Sequence, residues 1–319
     1  MRWRKLGCIF RPQDYDLLDG GAGFAQSPQA VVLSDRVRIY FSTRSREEAT
    51  GKYVSRVAYA DFEKDLSTVL AVNSRPVLEP GGLGSFDQHG VFPFSPLRVG
   101  DEIWAYTTGW SRRVAVSVET AVGLAVSRDG GSTFWRKGPG PVLGPSLQEP
   151  CLVGDAFVRN IDGRFHMWTI FGTGWKRFAG EPAPERIYKI GHATSDDGVR
   201  WTKEEGRAII SDKLGPDECQ ALPSVMPVDN RYLMVFCYRE ASGFRTDPSR
   251  GYRLGQAWSE DLCTWVRDDD EPTFQQEPDS WDSDMVCYPH LCEIDGRSVL
   301  LYNGNAFGRD GFGAAVLEP

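Results

Sequence analysis

Short runs with the alternation of hydrophobic and polar residues typical of β-strands dominate the chain, and helical periodicity is nearly absent. The clearest runs are rich in aromatic and β-branched residues, and each follows a turn that contains Asp. They begin near residues 37, 102, 164, 232 and 298, at intervals of 65, 62, 68 and 66 residues. This even spacing predicts one structural unit repeated five times.

Each unit presents its features in the same order. A polar residue and a proline head an apolar strand, an aromatic strand follows, and a third strand is rich in Gly and Ala. The unit then closes on Ser-x-Asp and a tryptophan, most clearly at Ser127 with Trp135, Ser195 with Trp201 and Ser259 with Trp265. Repeats of about 64 residues made of short strands predict an all-β fold, a single five-bladed β-propeller over residues 1–319.

The two ends of the chain are expected to meet in the fifth blade. This unit ends at residue 319 and leaves no residues for an outermost strand, whereas residues 3–10 have a strand pattern and no unit of their own. A last blade that combines strands from both termini removes the exposed sheet edge at the junction. We therefore expect residues 3–10 to supply the outermost strand of blade five.

Composition and charge exclude several classes of function. The net charge of −8 opposes binding to nucleic acid or to an anionic membrane, because both need a basic surface. The N-terminus has no apolar signal segment, and no stretch reaches the roughly 18 apolar residues of a membrane span. The seven cysteines are odd in number and scattered, which favours buried reduced thiols in a cytoplasmic protein. No pattern indicates an oligomeric state.

Carboxylates recur at one position of the repeat. Blades two to five place one before their first strand, at Asp87, Glu149, Glu218, and Asp282 or Asp284. Because first strands surround the axis of a propeller, we expect these side chains to meet in a central funnel. Two carboxylates there would serve as acid and base on a polyhydroxylated substrate, since burial and like charge raise the pKa of one of them. The alternative is that they cap strand ends or bind a structural ion.

Other polar and aromatic residues stand at strand ends that are expected to line the same funnel. The candidates for substrate binding are Gln26, His89, Trp110, Trp175, Arg239, Asp284 and His290. Tryptophan rings would stack on a sugar, and Arg239 would bind a carboxylate, phosphate or hydroxyl group. If these strand ends face the opposite rim, the same residues pack instead. No cluster has the spacing of a zinc site, so the residues predict no metal ligand.

The chain resembles the five-bladed β-propeller glycosidases, the arabinanase/xylosidase, invertase and levansucrase group, in repeat length, blade pattern and carboxylate placement. Glu218-Cys219 looks like the Glu-Cys motif that carries the general acid of the invertase branch, which implies that Glu218 is an acid. Glu149-Pro150 stands where that branch has Arg-Asp-Pro, which implies that Glu149 orients the substrate or tunes a pKa. The resemblance implies no cofactor other than the axial calcium ion that several relatives hold.

Blade one departs from that group, which has an Asp there as nucleophile or base. This chain has Gln26 or Ser27 at the matching place, and Asp19 lies upstream at the wrong spacing, so Asp87 would take the role. We expect a glycoside hydrolase-like enzyme whose partner is a small sugar or glycoside substrate. The missing Asp favours one alternative, a non-catalytic carbohydrate-binding propeller. A phosphorolytic or transferring sugar enzyme is the other, and it needs an anion site, for which the candidates are Arg239, Arg245 and His290.

Overall fold

The computed structural model describes residues 2–18, 23–48, 50–270, 273–274 and 276–318. Over these residues the regular secondary structure is almost entirely β-strand. In chain order the strands are β1 (Trp3–Phe10), β2 (Gln26–Val32), β3 (Val37–Arg46), β4 (Tyr53–Phe62), β5 (Val69–Val72), β6 (Val91–Val99), β7 (Glu102–Arg112), β8 (Val118–Ser127), β9 (Trp135–Arg136), β10 (Cys151–Ile161), β11 (Arg164–Lys176), β12 (Glu185–Ser195), β13 (Thr202–Lys203), β14 (Glu218–Val228), β15 (Arg231–Glu240), β16 (Arg253–Ser259), β17 (Val266–Arg267), β18 (Cys287–Ile294), β19 (Arg297–Asn303) and β20 (Phe312–Leu317).

Where the structure describes the chain, helical structure is confined to single turns. Two are 3₁₀ turns at Pro12–Asp14 and Pro248–Arg250, and the third is α1 (Asn305–Gly308), in which Ala306 and Phe307 have positive φ. Among the described residues, no helix is long and apolar enough to cross a bilayer.

The described strands form five antiparallel four-stranded sheets, which confirms the predicted five-bladed β-propeller. Blades one to four are β2–β5, β6–β9, β10–β13 and β14–β17, and each runs outward in chain order from its first strand. The innermost strands β2, β6, β10, β14 and β18 contact one another in cyclic order. They therefore surround the axis of the propeller.

Blade five contains strands from both ends of the chain, as expected from the sequence. Its order is β18, β19, β20 and then β1, with Trp3 opposite Leu317 and Phe10 opposite Phe312. The backbone pairing of β1 with β20 joins the first described residues to the last, so the ring is closed by main-chain hydrogen bonds.

Aromatic residues fill the space between neighbouring blades. The ring of Tyr40 in blade one lies 5.0 Å from that of Phe94 in blade two, and Phe134 packs edge-on against both. All three side chains are buried. Removing an aromatic side chain of this size from water contributes about 1.5–3 kcal/mol, so these buried rings hold neighbouring blades together.

The Ser-x-Asp phrase locks the turn between the third and fourth strands. Ser127 Oγ lies 2.7 Å from Asp129 Oδ1, and this carboxylate accepts the backbone N–H groups of Ser132 and Thr133. Asp197 and Asp261 make the equivalent bonds in blades three and four. The motif is therefore a structural element of the hairpin.

A β-bulge interrupts the pairing of the innermost strand near its start in every blade, for example between Gln26 and Gln29 in blade one and between Ala221 and Ser224 in blade four. Strand β10 has a second bulge between Gly154 and Phe157, where Asp155 has a φ of 52°. Aspartate tolerates this left-handed conformation better than most residues, and a bulge re-aims the side chain it carries. The second bulge turns Asp155 out of the apolar pattern of β10 and towards the axis.

Candidate active site in the central funnel

A cavity of about 340 Å³ lies on the axis, and residues from all five blades line it. We call this cavity the funnel. Its volume falls within the range of small-molecule sites, about 300–1,000 Å³. The polar groups that matter for its chemistry are Gln26, Arg44, Asp155, Arg186, Tyr188 and Tyr252.

Asp155 is the carboxylate of the funnel. Its side chain is buried, and its backbone N–H donates to Thr108 Oγ1 at 2.7 Å, which fixes the bulge against blade two. Burial raises the pKa of Asp155 to about 7, although a hydrogen bond from the Leu222 backbone and the charge of Arg186 act in the opposite direction. A carboxyl group that titrates near neutrality is suited to donating a proton to a substrate.

Stability should fall as the pH rises through the pKa of Asp155. An unfolded Asp titrates near pH 3.9, so between about pH 4 and 7 the native state holds a proton that the unfolded state has lost. For a native pKa of about 7, the free energy of unfolding should be about 1.4 kcal/mol lower at pH 8 than at pH 6. Urea denaturation at both pH values measures this difference. Asp155→Asn should lack this contribution, and an unchanged pH dependence in that variant would contradict the assignment.

Two guanidinium groups face the same space. Arg44 donates from Nε to Gln26 Oε1 at 2.9 Å, and Arg186 donates from Nη1 to Ser117 Oγ at 3.3 Å. Neither forms an ion pair with a carboxylate among the residues that the structure describes. Because Asp155 is protonated up to about pH 7, the funnel carries net positive charge and favours an anionic ligand.

Three tyrosines complete the wall on the side of blades three to five. The hydroxyls of Tyr188 and Tyr252 are hydrogen-bonded to each other, and the ring of Tyr288 packs edge-on against Tyr252 at 5.7 Å. Arg239 lies behind this wall, fully buried, and donates to Tyr188 Oη at 3.0 Å. Arg239 was predicted to bind substrate directly, but the structure places the tyrosines between it and the funnel.

The structure corrects the prediction that Asp87, Glu149 and Glu218 gather in the funnel. None of these three lines it, and each is buried in an ion pair with a cation on the outermost strand of its own blade. These pairs are Asp87 with Arg136 (2.6 Å), Glu149 with Lys203 and Glu218 with Arg267 (2.7 Å). Blade five has the corresponding pair of Asp282 with Lys5 (2.7 Å).

Blade four shows how the carboxylate and the cation come together. Arg267 starts on β17, yet its guanidinium lies 4.2 Å from the ring centroid of Tyr238 on β15. It therefore crosses β16, where a Cβ on Gly255 would come within 2.5 Å of the Phe236 ring and within 2.9 Å of Asp269, the second carboxylate partner of Arg267. In each of blades two to five, the carboxylate that heads the innermost strand pairs with a cation on the outermost strand. The repeated carboxylate is thus a tie between the innermost and outermost strands.

The other predicted residues divide between the funnel and its surroundings. Gln26 and Trp110 line the funnel. His89 lies in a neighbouring groove, stacked on Trp110 at 5.4 Å, and its Nδ1 accepts from the Arg112 backbone. Trp175 is half-buried at the end of β11 and does not line the funnel.

In blade five the repeated carboxylate position is held by Asp282. The other candidate, Asp284, is exposed and bonds locally to Ser283 and Asn305. Asp19 lies outside the described residues. Arg245 pairs with Glu185 and does not line the funnel.

His290 lies on β18, buried, with its ring 5.8 Å from that of Phe157. Burial, together with the charge of Arg159, lowers the pKa of His290 to about 3, so the ring is neutral. Calcium takes six to eight oxygen ligands, and the described residues contain no group of three His, Cys, Asp or Glu that could hold a metal ion. The described residues, with the cationic Arg159 close to His290, therefore do not fit the axial calcium ion that the resemblance implies.

Sequence reasoning missed Asp155, Arg44, Arg186, Tyr188 and Tyr252. For Asp155 a usable signal exists, since it is a lone carboxylate inside the apolar stretch 151–158. A charged residue in a strand that is otherwise apolar is costly to bury, which marks it for function. The other four carry no comparable signal, because Arg44, Arg186 and Tyr188 occur in strands with both polar and apolar residues and Tyr252 directly precedes β16.

Comparison with known proteins identifies two relatives along the whole chain. These are Uncharacterized protein MT1551 and Uncharacterized protein Rv1502, from two strains of Mycobacterium tuberculosis. Each is 35% identical over 323 residues, with 100% of both chains covered. No protein-family model matches the chain.

Solved structures share the fold at low sequence identity. One described as a glycoside hydrolase has a TM-score of 0.75 at 15% identity and covers 99% of this chain and 92% of its own. The β-1,2-mannobiose phosphorylase from Listeria innocua has a TM-score of 0.70 at 11% identity, with coverages of 100% and 97%. These likenesses confirm, at the level of the fold, the resemblance to propeller glycosidases.

Proposed function

We propose that this chain, which belongs to the family of the uncharacterized Mycobacterium tuberculosis proteins MT1551 and Rv1502, is a sugar-active enzyme that cleaves or forms a glycosidic bond in the funnel. The observation that carries the proposal is the placement of Asp155. It is a buried carboxyl group with a pKa of about 7, on a bulge found in this blade alone among the described inner strands, and it faces a cavity of ligand size. Asp155 would act as the general acid.

The rest of the funnel supports phosphorolysis rather than hydrolysis. A hydrolase needs a second carboxylate, either to activate water or to attack the sugar. Among the described residues that line the funnel, Asp155 is the one carboxylate, whereas Arg44 and Arg186 are cations without a carboxylate partner. Two such groups suit an oxyanion that arrives with the substrate, and inorganic phosphate can act as the nucleophile.

The reaction then balances without a further group. A phosphate oxygen attacks the anomeric carbon and forms a C–O bond, while the bond from that carbon to the leaving oxygen breaks. Asp155 gives its proton to the leaving oxygen and is reprotonated by solvent. The products are a sugar 1-phosphate and the released alcohol, and the reverse reaction forms a glycosidic bond.

The test is the dependence of turnover on phosphate. The purified protein is incubated with hexose 1-phosphates and sugar acceptors, and released phosphate is measured. Mannose 1-phosphate comes first, because one structure with this fold is a β-1,2-mannobiose phosphorylase. We expect phosphate release with formation of a disaccharide, and in the other direction a cleavage rate that rises with phosphate concentration.

Two outcomes would contradict phosphorolysis. Cleavage at an equal rate without phosphate, with a free reducing sugar as product, would establish hydrolysis, and Arg44 and Arg186 would then hold an anionic group of the substrate. Sugar binding without turnover in either direction would establish a carbohydrate-binding propeller.

A further inference from the structure

Arg239 is a buried cation without a carboxylate partner in the described part of the chain. Its side chain is fully buried, Nη1 donates to the backbone carbonyls of Glu240 and Ala241, and Nε has no hydrogen-bond partner there. The guanidinium lies 3.5 Å from the ring centroid of Phe244 and 5.3 Å from that of Tyr252. Burying a charge without a counter-ion is costly, so its retention needs an explanation other than stability.

Arg239 is the donor in each of its hydrogen bonds. A guanidinium cannot accept a hydrogen bond, so Arg239 donates to Tyr188, and the Tyr188 hydroxyl is bonded to that of Tyr252. The two tyrosines carry two hydroxyl protons, and the hydrogen bond between their hydroxyl groups uses one of them. The other is left for the open side of the pair, which is the funnel. Burial raises the pKa of both tyrosines, so neither loses its proton near neutral pH.

We infer that Tyr188 and Tyr252, polarised by Arg239, form a hydrogen-bond-donor site for an anionic oxygen in the funnel, with Tyr252 as the contacting hydroxyl. Arg239 is a positioning residue that acts through the tyrosines. Its charge strengthens the donor and supplies the counter-ion that the bound anion needs. The inference rests on the proposed function for the identity of the anion, a phosphate group.

The test measures binding of inorganic phosphate by calorimetry in the absence of sugar. Tyr252→Phe keeps the ring and removes the hydroxyl, and we expect phosphate to bind at least about 10-fold more weakly, because a hydrogen bond to a charged group contributes roughly 1.5–3 kcal/mol. Tyr106→Phe is the matched control. Its hydroxyl is also buried and donates to the Gly198 carbonyl at 2.9 Å, away from the funnel. This control should bind phosphate like the wild type.

Arg239→Gln separates positioning from packing. If Arg239 acts through the tyrosines, Arg239→Gln and Tyr252→Phe should each weaken phosphate binding, and the double variant should lose less than the two effects added together. A purely structural role would weaken binding equally with or without the Tyr252 hydroxyl. If Arg239→Gln does not fold, Tyr188→Phe tests the same coupling with the ring retained.

The possible results keep this inference apart from the proposed function. Phosphate binding that depends on Tyr252 supports the donor site even when no sugar is turned over. Phosphate-dependent turnover with unchanged phosphate binding in Tyr252→Phe overturns the donor site and leaves phosphorolysis in place. Failure of the wild type to bind phosphate overturns the donor site, whereas the proposed function is decided separately by the dependence of turnover on phosphate.

Discussion

Asp155→Asn is expected to lower kcat by about 100- to 10,000-fold, the usual contribution of a positioned general acid. The amide has no proton to give to the leaving oxygen, but it has nearly the size of the protonated carboxyl group. Asparagine also accepts the positive φ of this position, so the bulge in β10 should persist. The loss should therefore fall on the chemical step and leave substrate binding largely unchanged. Turnover of the best sugar 1-phosphate measures it.

The same variant should be more stable than the wild type above about pH 7. Ionised Asp155 is unfavourable in its buried site, and the neutral amide removes that cost. Lower activity together with higher stability is a combination that damage to the fold does not produce. Asp284→Asn is the control, because this exposed carboxylate lies outside the funnel and should retain full activity and stability. Near wild-type turnover in Asp155→Asn would remove Asp155 from the mechanism.

The fold could be predicted from the sequence because its determinants are local and repeated. A strand that starts every 62–68 residues and a Ser-x-Asp turn such as Ser127–Asp129 specify a blade, and five copies specify the ring. The place of β1 in blade five could be predicted from the same regularity. The fifth unit had no outermost strand, and residues 3–10 had a strand pattern but belonged to no unit. Each inference needed only the spacing of residues along the chain.

The site could not be predicted in the same way, because it depends on departures from the repeat. Asp87, Glu149 and Glu218 recur at one position, and this recurrence indicates a role that blades two to four share, such as the tie to the outermost strand. Asp155 occurs once, on a bulge that no repeat pattern encodes. The direction of a side chain at the head of a strand depends on the bulge and on whether a glycine leaves room beside it, and neither is set by spacing alone.

Glu218→Gln is expected to destabilise the protein by about 3 kcal/mol without a matching loss of turnover. Glu218 is fully buried, and its carboxylate accepts Arg267 Nη1 at 2.7 Å as well as the backbone N–H groups of Lys213 and Leu214. The NH₂ group of the amide would face these donors, and the buried guanidinium would keep Asp269 as its one carboxylate partner among the described residues. Urea denaturation measures the loss in the free energy of unfolding.

Glu102→Gln provides the matched control for this ion pair. Glu102 pairs with Arg128 at the same 2.7 Å, but the Arg128 side chain is 78% exposed, and such surface pairs contribute at most about 1 kcal/mol. A large loss of stability in Glu218→Gln with a small one in Glu102→Gln would therefore identify burial as the cause. If Glu218→Gln instead kept its stability and lost turnover, Glu218 would return to the chemistry. The glycosidase-like arrangement that the sequence suggested would then be correct, and the tie between strands would be incidental.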